Sequence, residues 1–548
     1  MEIEKYAHAE PEDARSRNDG PDVPRIQGLT APYSADVYYW AIFLVCLSIH
    51  LYSSTVGWDN LILEKHGFRQ TQTALSAFYV VKEGFRLDYI TPVFGPPWSI
   101  PMEFPLYQWV TALLVILSGY DLEKAGRLVS VLFFYLTLIP VFWLSKYFLK
   151  ETGWALIVLC LILVNPIYLF WSRSFMIEST ALFFSTLYLW LFLKFMESEK
   201  KRYFLTAITC GTLGGLVKVT TFAAFLVAAF FIYIHFIIKN KNLGFTVRYA
   251  GRYILYGCFL TLIPLAVAFA WVYYGDSFKV NHPFAYSLTS ASLKAWNYGT
   301  LTQKLSADVW QTVFELTGLY QSVGRIVAIN SIALHVAGFI LFMALVKRRK
   351  LLVSLAAVYL AAPLIFTNLY FVHDYYHYAN TIFFCAVIGL FCVEIIKSKK
   401  TAWSYLGKYM VLPGFLVLFL LGYFHFYYHF QARPLDQDQF VEFTHFLKEN
   451  TSEDDVLMFI GFSWDPRYAF YSQRKVLMAR HIDPDGSHFS RFLDEMKSAG
   501  LKVKAIIFTE NKAADAAYIQ KLVSLLNHHL QQETDDSSIL LMTVKYGT

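Results

Sequence analysis

Long apolar runs, separated by short charged segments, make up most of the chain. Each run is close to the ~20 apolar residues that an α-helix needs to cross a bilayer. The pattern predicts a polytopic α-helical membrane protein with about eleven transmembrane helices. The runs that we expect to cross cover residues 37–56, 128–148, 154–171, 177–195, 203–217, 221–238, 254–274, 326–346, 351–371, 378–396 and 410–430.

Clusters of basic residues predict which helix ends face the cytoplasm, because cytoplasmic loops carry an excess of Lys and Arg. The clusters are ESEKKR (197–202), KNK (239–241), KRRK (347–350) and KSKK (397–400). All four fall on one side only if a further apolar run, 104–119, lies in the outer interface as a helix instead of crossing. We therefore expect a cytoplasmic N-terminus and an extracytoplasmic C-terminus.

This topology divides the chain into three parts. The polar tail 1–36 is expected in the cytoplasm and does not have the pattern of a cleavable signal peptide. The transmembrane domain 37–430 sends two large loops, 57–126 and 275–325, to the outer side. The segment 431–548 is expected to form an extracytoplasmic domain.

The C-terminal segment alternates between strand-like and helix-like patterns. Apolar runs at 455–462, 468–478, 504–509 and 538–545 are typical of strands. Residues 440–451 and 488–500 have helical spacing, and Gly500 is expected to end the second helix. The alternation predicts a small α/β domain with a layered sheet.

Composition agrees with a membrane protein and narrows the functional classes. Charged residues make up 16% of the 548 residues, whereas a soluble domain carries about 25%. The net charge of +6 comes from clusters between apolar runs, so it does not indicate nucleic acid as a partner. All six cysteines lie inside apolar runs, which predicts small core residues and no disulfide framework.

The stretch HGFRQTQTA (66–74) is dense in hydrogen-bonding groups. Such groups suit a ligand with several oxygens and a negative charge, because guanidinium and amide groups donate to phosphates and hydroxyls. The alternative is a hydrogen-bond network that only fixes the first outer loop. The candidate binding residues in this stretch are His66, Arg69, Gln70 and Gln72.

Glu103 stands alone among apolar residues and prolines in TPVFGPPWSIPMEFPLYQW (91–109). Burial of a carboxyl group raises its pKa, which would make Glu103 a usable general base. The alternative is a carboxylate at the membrane interface that pairs with a Lys or an Arg.

Ionisable residues at the ends of apolar runs are further candidates, since charge is costly near hydrocarbon. Arg173 and Glu178 fall in a turn between two runs, and Lys218 lies between two others. All three can contact a substrate, and Lys218 can neutralise a phosphate. The alternatives are an ion pair within the protein for the first two and an outward-reaching lysine for the third.

The turn YFVHDYYHYAN (370–380) concentrates polar and aromatic side chains on the outer side. Its spacing His-Asp-x-x-His allows a divalent metal, but a turn lacks the regular spacing that brings such ligands together on a helix. We therefore assign no metal ligands and leave metal dependence open. The candidate binding residues are His373, Asp374, Tyr375 and Tyr376.

All these polar stretches fall on the outer side of the predicted topology. A long apolar bundle lies on one side of them and a soluble domain on the other. This arrangement suits a substrate with a lipid tail and an oxygen-rich head group, such as a polyprenyl-phosphate sugar.

Several stretches resemble the GT-C glycosyltransferases, in particular the protein O-mannosyltransferase and aminoarabinose transferase superfamily. FRQTQTA, followed by PVFGPPWSIPMEFPLYQW and GRLVS, is similar to a bacterial subgroup. SRSFMIES is similar to an outer turn of oligosaccharyltransferase catalytic subunits, and GGLVKVTT and HDYYHY to segments of mannosyltransferases. WDPRYAFYSQRK (464–475) resembles a strand motif of their extracytoplasmic caps. The likeness covers most of residues 37–480.

The resemblance implies a membrane glycosyltransferase of the cell envelope, located in the bacterial inner membrane. Such an enzyme transfers a sugar from a polyprenyl-phosphate donor to a hydroxyl of an acceptor glycan, lipid or protein on the extracytoplasmic face. In the family, a carboxylate of the first loop acts as the base, and cationic groups hold the phosphate.

The chain departs from the family pattern because no acidic residue lies between Phe68 and Thr73. Asp59 and Glu103 are the nearest substitutes for the base, and we favour Glu103 for its apolar setting. The resemblance assigns the phosphate and head group to His66, Arg69, Gln70 and Gln72, with further donors from Arg173, Lys218 and His373.

Two other functions fit the same pattern. A transporter or flippase of lipid-linked saccharides would also need polar groups in the bundle. Transporters, however, bind near the mid-plane, often between repeated halves, and the chain has no evident repeat. The missing first-loop carboxylate would also fit a catalytically inactive GT-C scaffold.

Overall fold

The computed structural model describes residues 33–241, 247–324, 329–430, 439–513, 515–530 and 539–544. Most of the predicted N-terminal tail, the start of the predicted run 326–346 and both ends of the predicted segment 431–548 lie outside these ranges. Within them, the regular elements of residues 33–430 are helices, as the apolar runs predict. Six of the helices in these ranges are long and apolar enough to cross a membrane, and the chain is an integral membrane protein.

The helices of this part, in chain order, are α1 (Tyr33–Thr55), α2 (Gly67–Glu83), α3 (Leu106–Ser118), α4 (Leu122–Leu149), α5 (Thr152–Leu163), α6 (Pro166–Trp171), α7 (Glu178–Ser198), α8 (Lys201–Lys241), α9 (Val247–Lys279), α10 (Lys294–Tyr298), α11 (Leu301–Leu305), α12 (Ala307–Glu315), α13 (Ser331–Leu345), α14 (Arg349–Ile365), α15 (Thr367–Val372), α16 (Thr381–Ile396), α17 (Thr401–Leu406) and α18 (Leu412–Phe430). Short 3₁₀ or π segments cover Tyr286–Leu288, Tyr320–Gly324, Asp374–Tyr378 and Gly407–Val411.

Two of the predicted spans are each divided into two helices. The run 154–171 is not one helix, because Asn165 ends α5 and caps α6, its Oδ1 accepting the backbone N–H of Ile167 at 3.0 Å. Pro166 then occupies the first turn of α6, a position where its missing N–H costs nothing. The run 351–371 is likewise divided between α14 and α15 at Phe366.

A third break confirms a predicted boundary. The backbone of Lys218 leaves the helical conformation inside α8, with φ −160° and ψ 94°. The two parts of α8 correspond to the separate runs 203–217 and 221–238, which the sequence places on either side of Lys218. The predicted total of eleven membrane spans and the orientation of the termini stay predictions.

Helix α3 has the properties of an interfacial helix. Its 13 residues extend only about 20 Å at ~1.5 Å per residue, which is less than the ~30 Å hydrocarbon core of a bilayer. Gln108 and Thr111 point into the protein and are fully buried, whereas Ile116 and Leu117 are exposed. Gly119, with φ 68°, ends the helix in a left-handed conformation that suits glycine.

The C-terminal part is the predicted α/β domain. Its four strands are all parallel and lie in the order β2-β1-β3-β4. The prediction of a strand over 468–478 is wrong in its first half, which is helical. The elements are α19 (Gln439–Glu449), β1 (Val456–Ile460), α20 (Pro466–Ser472), β2 (Lys475–Ala479), α21 (Ser487–Ser498), β3 (Val503–Thr509), α22 (Glu510–Ala513), α23 (Ala516–Leu530) and β4 (Leu540–Val544).

The sheet is covered on both faces, and the first outer loop covers one of them. Leu457 and Phe459 share a core with loop residues such as Val93, while alternate β1 residues pack against α21 and α23. The loop also extends the sheet, because the backbone N–H groups of Val476 and Met478 in β2 donate to the carbonyls of Pro92 and Val93. The first loop and the α/β domain therefore form one packed body.

Candidate active site

Arg69 and Glu103 form an ion pair at the junction of the first loop with the bundle. Arg69 lies in the first turns of α2, and Glu103 lies just before α3. The guanidinium Nη2 is 3.4 Å from Oε1 of Glu103, and Nε2 of Gln108 donates to the same oxygen at 3.4 Å. Among the described residues, none hydrogen-bonds to Oε2 of Glu103, whose side chain is 11% exposed.

Glu178 and Lys218 form a second ion pair, which is more deeply buried. Glu178 begins α7, where the helix dipole favours a negative charge. Lys218 reaches it from the break in α8, and its Nζ lies 4.2 Å from the ring centroid of Tyr376 and 5.2 Å from that of Tyr375. Within the described part of the chain, Oε2 of Glu178 is buried without a hydrogen-bond partner.

The two ion pairs act on each other. Burial works to lower the pKa of Arg69, but the charges of Glu103 and Glu178 and the nearby phenols outweigh it, so the pKa lies above its ordinary value. Arg69 therefore stays charged. We call the set of six residues that meet here the polar cluster: Arg69, Glu103, Glu178, Lys218, Tyr375 and Tyr376.

The turn that supplies both tyrosines is anchored to the first loop through Asp374. Its carboxylate accepts from Lys65 Nζ at 2.5 Å and lies 3.2 Å from His66 Nε2. Burial works to raise the pKa of Asp374, but the His66 hydrogen bond and the Lys65 charge outweigh it and hold the pKa below its ordinary value. These contacts keep His66 in a left-handed conformation, φ 54° and ψ 43°, immediately before α2.

His373 stands beside the polar cluster as a neutral side chain. Burial, together with the positive charges of Lys218 and Arg69, lowers the pKa of His373 to about 4. Its ring packs against the rings of His66, at a centroid distance of 5.0 Å, and Tyr375, also at 5.0 Å. His373 can therefore donate or accept a hydrogen bond at neutral pH.

Arg173 and Gln70, two of the predicted binding residues, lie in hydrogen-bond networks within the protein. Arg173 is fully buried, and its Nη2 donates to Oε1 of Glu64 at 2.7 Å. Gln70 donates to the Lys65 carbonyl at 3.2 Å and accepts the backbone N–H of Phe175 at 3.0 Å. For these two residues the alternative of a network that fixes the loop describes the geometry.

Two other predicted site residues, Gln72 and Asp59, differ in how close they lie to the polar cluster. Gln72 donates to the Met102 sulfur at 2.7 Å, next to Glu103 in the chain, so it supports the loop that carries that carboxylate. Asp59 pairs with Lys124 on the surface, and its side chain is 83% exposed. Asp59 contacts no member of the polar cluster among the described residues, which leaves Glu103 as the better placed of the two proposed bases.

Three contributors were not singled out in the sequence. Gln108 touches the Glu103 carboxylate, Lys65 holds Asp374, and Glu64 anchors two arginines. A polar residue among the apolar positions of 104–119 could have drawn attention to Gln108. Glu64 and Lys65 directly precede HGFRQTQTA, but only a three-dimensional arrangement shows their partners.

Asp374 and His377 of the His-Asp-x-x-His spacing both contact other side chains. Asp374 is occupied by Lys65 and His66, and the buried ring of His377 packs against the ring of Tyr370. No group of three or more potential metal ligands occurs in the ranges that the structure describes.

An apolar cavity of about 100 Å³ lies within the bundle. Apart from Ser145 and Thr186, the side chains that line it are apolar. It is built partly from the helices that carry the polar cluster, with Thr186 about 12 Å along α7 from Glu178 and Phe225 about 10 Å along α8 from Lys218, at ~1.5 Å per residue. The molecule thus combines the polar cluster with an apolar space farther along the same helices.

Comparisons with known proteins identify this architecture. The structure resembles ArnT from Cupriavidus metallidurans bound to undecaprenyl phosphate, with a TM-score of 0.54 and 11% identity over 88% of this chain and 95% of that chain. The apo state of the same protein gives a TM-score of 0.52 and 12% identity over 85% and 89%. The chain has the GT-C fold.

The GT-C fold is also seen in a more distant structure. The archaeal oligosaccharyltransferase AglB from Archaeoglobus fulgidus, in complex with an inhibitory peptide and a dolichol-phosphate, gives a TM-score of 0.50. Its identity with this chain is 13%, over 81% of this chain and 65% of AglB.

Sequence comparison supports the GT-C assignment over part of the chain. Residues 99–271 match the family model described as dolichyl-phosphate-mannose-protein mannosyltransferase, which is less than half of the chain. The matched range contains Glu103, Glu178 and Lys218 of the polar cluster. No curated protein matches the chain significantly, and the bacterial subgroup suggested by FRQTQTA stays a prediction.

Proposed function

We propose that the chain is a membrane glycosyltransferase that transfers a sugar from a polyprenyl-phosphate donor to an acceptor hydroxyl on the extracytoplasmic face. One observation carries the proposal: four charged residues from separate elements, Arg69, Glu103, Glu178 and Lys218, meet in the polar cluster. Charges are costly there unless they are paired, and such groups mark functional sites in membrane proteins.

Arg69 and Lys218 are the groups that hold the donor phosphate. Both are cationic, and guanidinium and ammonium groups are the usual partners of phosphate oxygens. Each is paired with one carboxylate, which keeps the pocket close to neutral before the donor binds. Fixed positive charges at the leaving phosphate stabilise the negative charge that develops as the sugar departs. His66, His373 and the two tyrosines provide hydrogen bonds and aromatic surface for the head group.

Glu103 is the base in this proposal. Its Oε2 takes the proton of the acceptor hydroxyl while the acceptor oxygen forms a bond to the anomeric carbon of the sugar. The bond between that carbon and the phosphate oxygen breaks, and the lipid phosphate leaves with the electron pair. The partial exposure of Glu103 gives an acceptor access, and Arg69 and Gln108 fix the other carboxylate oxygen.

The apolar cavity supports a donor with an isoprenoid chain. It follows the helices that carry Glu178 and Lys218, so a head group held in the polar cluster can direct its chain toward it. Undecaprenyl phosphate, to which ArnT is bound in the structure compared above, is a molecule of this kind. We accordingly assign the protein to a bacterial inner membrane, with the polar cluster on the extracytoplasmic side.

Binding of undecaprenyl phosphate to the purified protein tests the phosphate assignment. Replacing Arg69 by Ala is expected to weaken binding by about 100-fold, in line with the loss of one charge-assisted partner worth ~1.5–3 kcal/mol. Arg86→Ala is the matched control, because Arg86 lies in the same loop but pairs with Asp88 at an exposed position. Equal affinity of the Arg69→Ala and Arg86→Ala proteins would remove Arg69 from the site.

Turnover separates a transferase from a transporter. A donor panel of radiolabelled undecaprenyl-phosphate hexoses, presented with envelope membranes as the acceptor source, is expected to yield a labelled product and free undecaprenyl phosphate. Movement of the intact donor across a liposome membrane without cleavage of the sugar–phosphate bond would contradict the proposal and favour the transporter.

A further inference from the structure

Helix α11 of the second outer loop has its polar and apolar sides reversed relative to a water-exposed helix. Leu301 is 73% exposed and Leu305 is 77% exposed. The two leucines are four residues apart and therefore lie on one face. Gln303 and Lys304, between them, turn toward the protein. Solvent-facing helices place leucines inward and lysines outward, so this helix has the opposite arrangement.

The reversed orientation is fixed by specific hydrogen bonds. Lys304 Nζ donates to the carbonyls of Leu364 and Ile365, at 2.6 and 3.0 Å, and so caps the end of α14. Gln303 Nε2 donates to Asn368 Oδ1 at 2.9 Å. The two Lys304 hydrogen bonds satisfy carbonyls at the end of α14 that would otherwise have no partner within the helix. Rotating the leucines inward would break them, so the apolar face is held outward.

Helix α11 contacts the end of a predicted membrane span and lies in a loop that reaches the polar cluster. Lys304 ties α11 to the end of α14, whose sequence corresponds to one of the predicted spans. In the same loop, Trp296 lies 6.1 Å from the ring of His373, measured between centroids, and its carbonyl accepts from Asn368. The exposed face therefore lies where an apolar span ends, beside the turn that supplies Tyr375 and Tyr376.

The interfacial helix α3 shows the same reversal on another loop. Leu113, Ile116 and Leu117 are exposed by 48%, 52% and 77%, while Gln108 and Thr111 are fully buried. Two short helices from different loops thus present leucines outward and polar groups inward, and both adjoin the polar cluster, α3 through Gln108 and α11 through the loop that carries Trp296.

We propose that the face formed by Leu301 and Leu305 is seated in the lipid leaflet nearest the polar cluster. Its partner is the bilayer itself, at the depth where head groups meet acyl chains, which is where amphipathic helices bury their apolar faces. The second outer loop is then an interfacial element that borders the pocket at lipid level, and not a loop surrounded by water. This inference does not depend on the proposed chemistry.

Spin-label accessibility in phosphatidylcholine nanodiscs tests the inference. The full-length protein with Cys258→Ser, which removes the exposed native cysteine, would carry a nitroxide at Leu301→Cys or, separately, Leu305→Cys. Leu541→Cys, at a position 52% exposed on β4 of the α/β domain, is the control. We expect labels at 301 and 305 to collide with dissolved oxygen far more than with a water-soluble nickel chelate, and the label at 541 to show the reverse.

The proposal requires the labels at 301 and 305 to show the same preference for oxygen over the nickel chelate. Nickel accessibility at 301 and 305 equal to that at 541 would overturn the proposal, since it would place the face in water. If one cysteine variant does not fold, the other gives the same reading from the next turn of the helix.

Discussion

At the scale of single residues, one buried carboxylate organises the start of the first loop. Glu64 accepts from Arg127 Nη1 at 3.2 Å through one oxygen and from Arg173 Nη2 at 2.7 Å through the other. All three side chains are at most 1% exposed. Because the arginines come from α4 and from the turn after α6, Glu64 joins the loop to two parts of the bundle.

Replacement of Glu64 by Gln should destabilise the protein strongly. It would leave two buried guanidinium groups without a counter-charge, and breaking a buried pair in this way costs about 3–5 kcal/mol. Thermal unfolding in detergent measures the effect as a large drop in Tm. Asp59→Asn is the control, since Asp59 pairs with Lys124 on the surface and its loss should leave Tm unchanged. Equal Tm values for the two variants would show that the buried network is not needed for stability.

Residue types in the sequence identified much of the polar cluster but not the roles of individual members. Arg69 and Glu103 were both predicted, and they lie 3.4 Å apart although 34 residues separate them in the chain. Arg173 looked equally promising, yet its charge is neutralised by Glu64. A sequence shows that a charge lies near hydrocarbon, whereas its partner depends on how helices from distant segments pack.

At the scale of elements, polar residues mark two of the three places where predicted apolar runs are interrupted. Lys218 and Asn165 are both polar positions beside apolar residues, and both interrupt helices. The break at Lys218 was predicted because apolar runs end on both sides of it. The break at Asn165 was missed because the apolar run resumes immediately after Pro166.

The misassigned strand over 468–478 has a physical explanation. Aromatic residues such as Tyr468 and Phe470 favour strands, and they outweighed a helix-start signal just before them. Asp465 caps α20 by accepting the backbone N–H of Arg467 at 3.0 Å, and Pro466 follows at the first helical position. Giving more weight to this Asp-Pro pair would have predicted the helix.

The apolar cavity yields a prediction about donor chain length. Ala386 of α16 lines the cavity, and replacing it by Trp should fill much of the space. We expect affinity for undecaprenyl phosphate to fall by about 10-fold or more, while a short farnesyl phosphate, held by its head group, binds as before. Ala333→Trp, at an exposed position on α13, is the control. Unchanged affinity for the long chain in Ala386→Trp would show that the cavity does not hold it.

At the scale of the whole molecule, the α/β domain and the first loop support the polar cluster together. Phe94 of the loop forms an isolated antiparallel bridge with Leu477 in β2. Trp464, which follows β1, packs on Phe68 with a centroid distance of 4.5 Å, next to Arg69 in the chain. Patterns along the sequence predicted the sheet but not this joint between the first outer loop and the sheet, since the paired segments lie almost four hundred residues apart.

Two glycines allow the joint to be tested. Gly95 has φ +74°, and a Cβ there would lie 3.0 Å from Phe492 and 3.3 Å from Leu477 of the domain. Gly84 also has positive φ, +95°, but a Cβ there meets nothing within 4 Å. Both Ala variants bear backbone strain of about 1 kcal/mol, and only Gly95→Ala should also loosen the loop from the sheet. We expect faster proteolysis of the loop in Gly95→Ala than in Gly84→Ala; equal rates would contradict the joint.

The rate of sugar transfer by Glu103→Gln, compared with Asp59→Asn, tests the central claim most directly. Both substitutions remove one first-loop carboxylate, but only Glu103 belongs to the polar cluster. With the undecaprenyl-phosphate hexose that the unmodified protein uses best, we predict that Glu103→Gln lowers the rate by about 100-fold or more, the usual contribution of a general base. Asp59→Asn should retain the full rate. Undiminished transfer by a folded Glu103→Gln protein would contradict the account.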